Sequence, residues 1–170
     1  MKKLVLGGFA VMLALSACKK DKDNAAKPVT DSVATTWQFT ANGHTFTSGT
    51  STGAVASVIG TQAVIGGLMH SESKDTLFQI QIQSLGNRLD TGTYSTLDAG
   101  TSFSLMKSTG DVIFAAIPVD DRQEIKYKIT AYDTVKQVIS GTFSGTAYNF
   151  DGDNVNITNG AFKTKLQKLN

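Results

Sequence analysis

The chain has 170 residues, with 16 lysines and arginines, 14 acidic residues and a single cysteine. Two of the lysines lie within residues 1–17, so the rest of the chain carries 14 basic and 14 acidic side chains and is formally neutral. A neutral domain has no global field that attracts nucleic acid, which disfavours that class of partner. A single cysteine excludes an internal disulfide.

The N-terminus carries the most specific pattern in the sequence. Two lysines precede an apolar run over 4–15, and small residues follow it, as in a secretory signal peptide. The run is too short for a resident membrane helix, which needs about 20 apolar residues. Its end, Leu15-Ser16-Ala17-Cys18, resembles the lipobox of bacterial lipoproteins. The resemblance implies that a signal helix over residues 1–17 is cleaved between Ala17 and Cys18, and that Cys18 receives diacylglycerol on its thiol and a further acyl chain on the new amine.

Residues 18–32 are rich in charge and nearly free of large apolar side chains, so they cannot bury enough surface to fold. We predict that they form a flexible tether between lipidated Cys18 and a folded domain over 33–170. Some Gram-negative lipoproteins are retained in the inner membrane by an aspartate after the lipidated cysteine, and this chain has Lys19 there. The lipoprotein resemblance therefore implies anchoring at the outer membrane, and it leaves the membrane face open.

Beyond the tether, the first predicted element is a hairpin. Strands over 36–41 and 44–47 flank Asn42-Gly43, a strong hairpin signal because a type I′ turn needs positive φ at both central residues. A two-residue loop here places Phe39 opposite Phe46. Further along, segment 77–83 alternates apolar residues with polar ones without a fault, so it is predicted to be a half-buried strand.

Short strands account for the rest of the domain. They are predicted over 54–59, 62–69, 93–95, 102–107, 112–117, 124–132, 138–150, 155–158 and 161–169. Asn159-Gly160 predicts a second hairpin turn, which would place Ile157 opposite Phe162. No segment after the signal has a convincing helical period. The pattern predicts one all-β antiparallel domain, a single β-sandwich or alternatively a lipocalin-like β-barrel.

The C-terminal third contains two distinctive segments. Residues 140–147 begin with Ser-Gly-Thr-Phe, and residues 155–162 contain Ile-Thr-Asn-Gly and end at Phe162. Together with Phe-Thr-Ala-Asn-Gly at 39–43 and the lipobox, they resemble an uncharacterised family of small β-rich lipoproteins from Gram-negative bacteria. The shared residues belong to turns and core, so the resemblance implies a fold. The family has no established activity, so the resemblance implies no catalytic residue.

Few side chains point to chemistry. The two histidines, His44 and His70, lie beside predicted turns, and no zinc motif or serine-nucleophile motif is present. We predict no cofactor and no catalytic residue, and whether the chain is an enzyme stays open. A weak metal hypothesis concerns calcium at Asn149, Asp151 and Asp153, although hairpin turns use the same residue types.

Three tripeptides have Asp, then Ser or Thr, then an aliphatic residue. They resemble the O-glycosylation acceptor of exported proteins in some Gram-negative bacteria, which implies glycans on Ser32, Thr76 and Thr134. Each tripeptide falls in a predicted tether or turn, where a bulky glycan can be accommodated.

Taken together, these patterns predict a cell-envelope lipoprotein. Its β-domain would be a non-catalytic binding or scaffolding module at the outer membrane, with a protein, a glycan or a small molecule as partner besides the membrane itself. One alternative is a hydrolase of envelope or environmental polymers, which needs a polar cleft with paired carboxylates or a His–carboxylate pair. The other is a lipocalin-like carrier, in which Gly66, Gly67, Gly141 and Gly145 would leave room for a small apolar ligand.

Overall fold

The computed structural model describes residues 34–48, 53–69, 76–118 and 122–167. All regular secondary structure in these ranges is β, which confirms the predicted all-β class; the predicted signal helix and tether lie outside them. No helix within these ranges has the length and hydropathy that a membrane crossing needs. The strands are β1 (Thr36–Ala41), β2 (His44–Thr47), β3 (Val55–Ile59), β4 (Gln62–Leu68), β5 (Thr76–Gln83), β6 (Gly92–Ser95), β7 (Ser102–Lys107), β8 (Val112–Ala116), β9 (Ile125–Asp133), β10 (Val138–Asn149) and β11 (Asn154–Gln167).

One sheet contains all eleven strands, in the order β2-β1-β11-β3-β4-β5-β7-β8-β10-β9-β6. Because β10 also pairs with β11, the hydrogen-bonded pairings form a closed circuit, which runs through β11, β3, β4, β5, β7, β8 and β10. Every pairing between strands is antiparallel except β3 with β11, which is parallel. Side chains of β1, β9 and β10 contact β5 or β7, to which these strands are not hydrogen-bonded, so the two parts of the sheet face each other and are its two layers.

The β1–β2 hairpin matches its prediction. Asn42 and Gly43 have φ of 50° and 75°, as a type I′ turn requires. Phe39 pairs with Phe46, and their ring centroids are 5.0 Å apart. Cross-strand aromatic pairs of this kind contribute roughly 0.2–1 kcal/mol relative to alanine pairs.

Aromatic rings fill the space between the two layers. Trp37 of β1 stacks on Phe78 of β5 with ring centroids 4.3 Å apart, and Phe78 stacks on Phe143 of β10 at 5.9 Å. Phe39 also lies 5.5 Å from Phe103 of β7. None of these strand pairs is hydrogen-bonded, so the contacts join one layer to the other. Burying each such side chain contributes about 1.5–3 kcal/mol, so this cluster is a principal source of stability.

The predicted C-terminal hairpin is wrong. Residues 154–167 form one continuous strand, β11, and only Asn159 of the predicted turn has positive φ, at 53°. The register against β10 shifts here, because Phe143 pairs with Gly160 whereas Gly145 pairs with Ile157. Two residues of β11 therefore lie opposite one of β10, which makes this position a β-bulge instead of a turn.

Long-range pairing explains why β11 continues. It lies between β1 and β10, so Phe162 pairs with Trp37 on one side and Gly141 on the other and does not meet Ile157. Gly160 is needed for a close approach: a Cβ there would collide with the carbonyl oxygen of Phe143 and lie 2.5 Å from its ring. Strands on both sides of β11 hold the chain extended here, so Asn159-Gly160 does not form the hairpin that its residue types favour.

Candidate binding site

The sequence-predicted modification sites fall in different parts of the chain. Ala17, Cys18 and Ser32 lie outside the described residues, as does His70. Thr76 is the first residue of β5 and only 3% exposed, and its carbonyl accepts a hydrogen bond from the N–H of Met69 at 3.0 Å. A side chain buried to this extent has no room for a glycan, so Thr76 is removed from the predicted acceptors.

Thr134 has the opposite environment. It is exposed in the turn between β9 and β10, and the carboxylate of Asp133 closes that turn by accepting hydrogen bonds from the N–H groups of Val135 and Lys136 at 2.9 and 2.8 Å. An aspartate that accepts such hydrogen bonds stabilises its own turn, and this role needs no ligand or modification. The turn presents Thr134 to solvent, so it stays a predicted glycan acceptor.

The four glycines considered as walls of a ligand cavity are instead sites of close packing. A Cβ on Gly66 would lie 3.1 Å from the carbonyl oxygen of Phe78, and one on Gly67 would lie 2.9 Å from Nε1 of Trp37. At Gly141 a Cβ would lie 2.6 Å from the ring of Phe162. At Gly145 it would collide with the carbonyl oxygen of Glu124. Neighbouring atoms therefore occupy the space that an apolar ligand would need beside these glycines.

The weak metal hypothesis involved a turn whose hydrogen bonds the structure defines. Oδ1 of Asn149 accepts a hydrogen bond from the backbone N–H of Asp153 at 2.8 Å. Nδ2 of Asn149 donates to the carboxylate of Asp153 at 3.4 Å. Gly152, with φ of 84°, donates its N–H to the carbonyl of Asn149 at 3.0 Å. These contacts account for Asn149 and Asp153 as parts of a β10–β11 turn. Among the described residues, no cluster of three His, Cys, Asp or Glu side chains is placed to hold a metal ion.

One buried tyrosine among the described residues has a perturbed pKa. Burial raises the pKa of Tyr127 well above its ordinary value of 10.0. Its hydroxyl donates to the carbonyl oxygen of Ser102 at 2.9 Å, which joins β9 to β7 across the two layers. This hydrogen bond satisfies a buried polar group, so Tyr127 has a structural role.

One surface groove combines apolar and polar side chains from separate parts of the chain. It has a volume of about 450 Å³, and we call it the end groove. It lies where the β1–β2, β7–β8 and β10–β11 turns come together, along the first residues of β8. Its lining residues are Asn42, Lys107, Asp111, Val112, Ile113, Phe114, Asn149, Phe150 and Asp151.

Phe150 is the unusual member of the end groove. Its side chain is 76% exposed at the β10–β11 turn, whereas the ring of Phe114 on β8 is buried. Folding gains little from an aromatic ring that stays in water. Beside the half-buried Val112 and Ile113 of the groove, this ring adds apolar surface that a ligand can cover. The strand predicted over 138–150 ends at Phe150, and the strand pattern does not indicate this exposure. The sequence does contain an indication of it, because Phe150 directly precedes Asp-Gly and so lies at the edge of a turn, where side chains are often exposed.

Polar groups around Phe150 have unused hydrogen-bonding capacity. Within the described part of the chain, the amide of Asn42 and the carboxylate of Asp151 make no hydrogen bond. The carboxylate of Asp111 accepts one hydrogen bond, from the hydroxyl of Thr109 at 2.8 Å, and keeps further acceptor positions. Lys107 adds a cationic donor. The end groove thus presents donors, acceptors and an aromatic face together.

Two other surface grooves are less distinctive. One, of about 360 Å³, contains an ion pair in which Arg88 meets Asp90 at 2.8 Å. The N–H of Thr91 and the charge of Arg88 lower the pKa of Asp90, so that carboxylate is already satisfied. The other, of about 430 Å³, crosses β9, β10 and β11 beside Lys126 and Lys128. Neither of them contains an exposed aromatic side chain of the kind that Phe150 presents.

Comparison with known proteins found no matching family model, no matching curated protein and no matching solved structure.

Proposed function

We propose that this chain is a cell-envelope lipoprotein, anchored at the outer membrane through Cys18, whose β-domain is a non-catalytic binding or scaffolding module. Support for the anchor comes from the lipobox Leu15-Ser16-Ala17-Cys18 at the end of a short apolar run. Three acyl chains exceed the two signals that stable anchoring needs, so the protein stays on the membrane.

Support for a surface-binding module comes from the packed interior. The aromatic cluster of Trp37, Phe39, Phe78, Phe103 and Phe143 occupies the space between the layers. A lipocalin-like carrier needs that space for its ligand. The packing therefore favours binding at the surface, where the end groove offers concave shape and unpaired polar groups.

Replacing the cysteine tests the anchor. Cys18→Ser removes the only thiol, so we expect no incorporation of an alkyne-labelled fatty acid and loss of the protein from the membrane fraction. Ser16→Ala is the matched control, because alanine keeps the small residue that the lipobox requires, and it should label like the wild type. Wild-type protein that takes up no label would refute the lipoprotein assignment.

Position 19 tests the choice of membrane. Lys19→Asp introduces the retention signal of some Gram-negative lipoproteins, so in a host that reads this signal the variant should move to the inner membrane in density-gradient fractions. Lys20→Asp makes the same charge change one residue later and should leave the distribution unchanged. If the wild type already sediments with the inner membrane, the outer-membrane part of the proposal fails.

A further inference from the structure

The end groove has a chemical composition that narrows the ligand class. Its aromatic ring, Phe150, supplies a flat apolar face to solvent. Asn42 supplies both a donor and an acceptor, Lys107 supplies donors only, and Asp111 and Asp151 supply acceptors only. A complementary ligand has a flat apolar face and, around its rim, groups that both donate and accept hydrogen bonds.

Two simple ligand classes each fail one of these two conditions. A purely apolar ligand would cover Asp111, Asp151 and Lys107 without pairing them, and burying unpaired charges is costly. A ligand whose only polar group is an ammonium donates hydrogen bonds but does not accept them, so it would leave Lys107 without an acceptor. A sugar ring meets both conditions, because its axial C–H groups form an apolar face and each hydroxyl both donates and accepts.

We propose that the end groove binds a neutral glycan chain, with Phe150 stacked on a sugar ring and the polar side chains around it bonded to hydroxyl groups. This inference rests on the binding part of the proposed function and names its ligand class. The groove of about 450 Å³ is open to solvent, so a bound sugar ring can belong to a longer chain.

Hydrogen bonds fix the backbone of the β10–β11 turn, which carries Phe150 and Asp151. Asn149 closes this turn with two hydrogen bonds between its backbone and that of the turn, at 2.9 and 3.0 Å, besides its side-chain bond to the N–H of Asp153. Phe150 and Asp151 are therefore presented on an ordered backbone. A preorganised turn lowers the entropy that binding must overcome.

The test uses full-length protein, purified from expressing cells in a detergent that has no sugar head group. Titration calorimetry with maltohexaose, cellohexaose, xylohexaose and mannohexaose should detect at least one complex with a Kd below about 1 mM, the weak end of specific binding. Phe150→Ala should weaken that complex at least tenfold, and Phe150→Trp should restore it. Leu85→Ala is the matched control, because Leu85 is 77% exposed and lies outside the end groove.

Each other result overturns the inference. If no hexasaccharide binds, the end groove is not a site for neutral glycans, and if binding survives Phe150→Ala, the glycan binds elsewhere. If an apolar dye or an unstructured peptide binds in a Phe150-dependent manner while the sugars do not, the ligand belongs to another class. The mass of the same preparation reports acylation of Cys18, so failure of the anchor and failure of glycan binding are scored separately.

Discussion

A pair of engineered disulfides decides whether β11 is one strand or a hairpin. In the structure Lys163 pairs with Ser140 of β10, and strand partners have Cα atoms about 4.5–5.5 Å apart, within the range that a disulfide spans. The Asn159-Gly160 hairpin would instead pair Lys163 with Asn156. In a continuous strand these two residues are seven positions apart, so at 3.3 Å per residue about 23 Å separates them.

The natural sequence makes this experiment clean, because Cys18 is its only cysteine and Cys18→Ser removes the background thiol. In that variant, Ser140→Cys with Lys163→Cys should oxidise to a disulfide, whereas Asn156→Cys with Lys163→Cys should keep both thiols. Asn156 and Lys163 are exposed, so the substitutions themselves should cost little stability. Thiol titration and peptide mapping after mild oxidation report which pair has formed.

The first disulfide should also stabilise the domain. The disulfide between positions 140 and 163 closes a loop of roughly 24 residues. The chain-entropy relation predicts that such a loop raises the free energy of unfolding by about 3.5 kcal/mol, less any strain in the disulfide. Urea melts of the oxidised and reduced forms measure this difference. Efficient oxidation of the 156–163 pair, together with free thiols at 140 and 163, would refute the continuous strand and the bulge.

Two further predictions concern buried aromatic residues. Phe162 is 3% exposed and pairs with Trp37 and Gly141, so Phe162→Ala should lower the free energy of unfolding by about 3–5 kcal/mol in urea melts. The control Lys163→Ala should change it by no more than about 0.5 kcal/mol, and equal unfolding midpoints of the two variants would contradict this packing. Burial raises the pKa of Tyr127, so the unfolded chain releases the phenol proton at a lower pH than the folded protein does. The contribution of the neutral phenol to the free energy of unfolding is therefore complete below about pH 10 and is lost as the pH rises beyond that value. Absorbance titration should therefore show one tyrosine that ionises only together with alkaline unfolding, and Tyr127→Phe should lack that step; a Tyr127-dependent ionisation in the folded protein would contradict the burial.

Local patterns predicted much of the fold. The alternation of Phe78, Ile80 and Ile82 with glutamines placed three buried side chains on the inner face of β5, because successive residues of a strand point to opposite faces. Asn42-Gly43 predicted both the turn and the Phe39–Phe46 pair, since the required φ values belong to the two turn residues themselves. The lipobox at Leu15–Cys18 is likewise a local pattern, and it remains a prediction.

Features that depend on strands distant in the sequence were decided by the tertiary structure. Asn159-Gly160 has the same residue types as Asn42-Gly43, yet β1 and β10 on either side of β11 keep the chain extended and turn the pair into a bulge. Thr76 reads as a turn residue in the sequence and is buried once β5 pairs with β4 and β7.

The end groove shows the same division between local and long-range information. Its polar residues and Phe150 were each visible in the sequence as members of a turn or a strand end. Their assembly required the β1–β2, β7–β8 and β10–β11 turns to meet at one end of the folded sheet. The sequence by itself determined the all-β class and the local turns, because periodicity and φ preferences act between near neighbours. Only the tertiary structure decided which turns lie side by side, because that depends on the order in which distant strands pair.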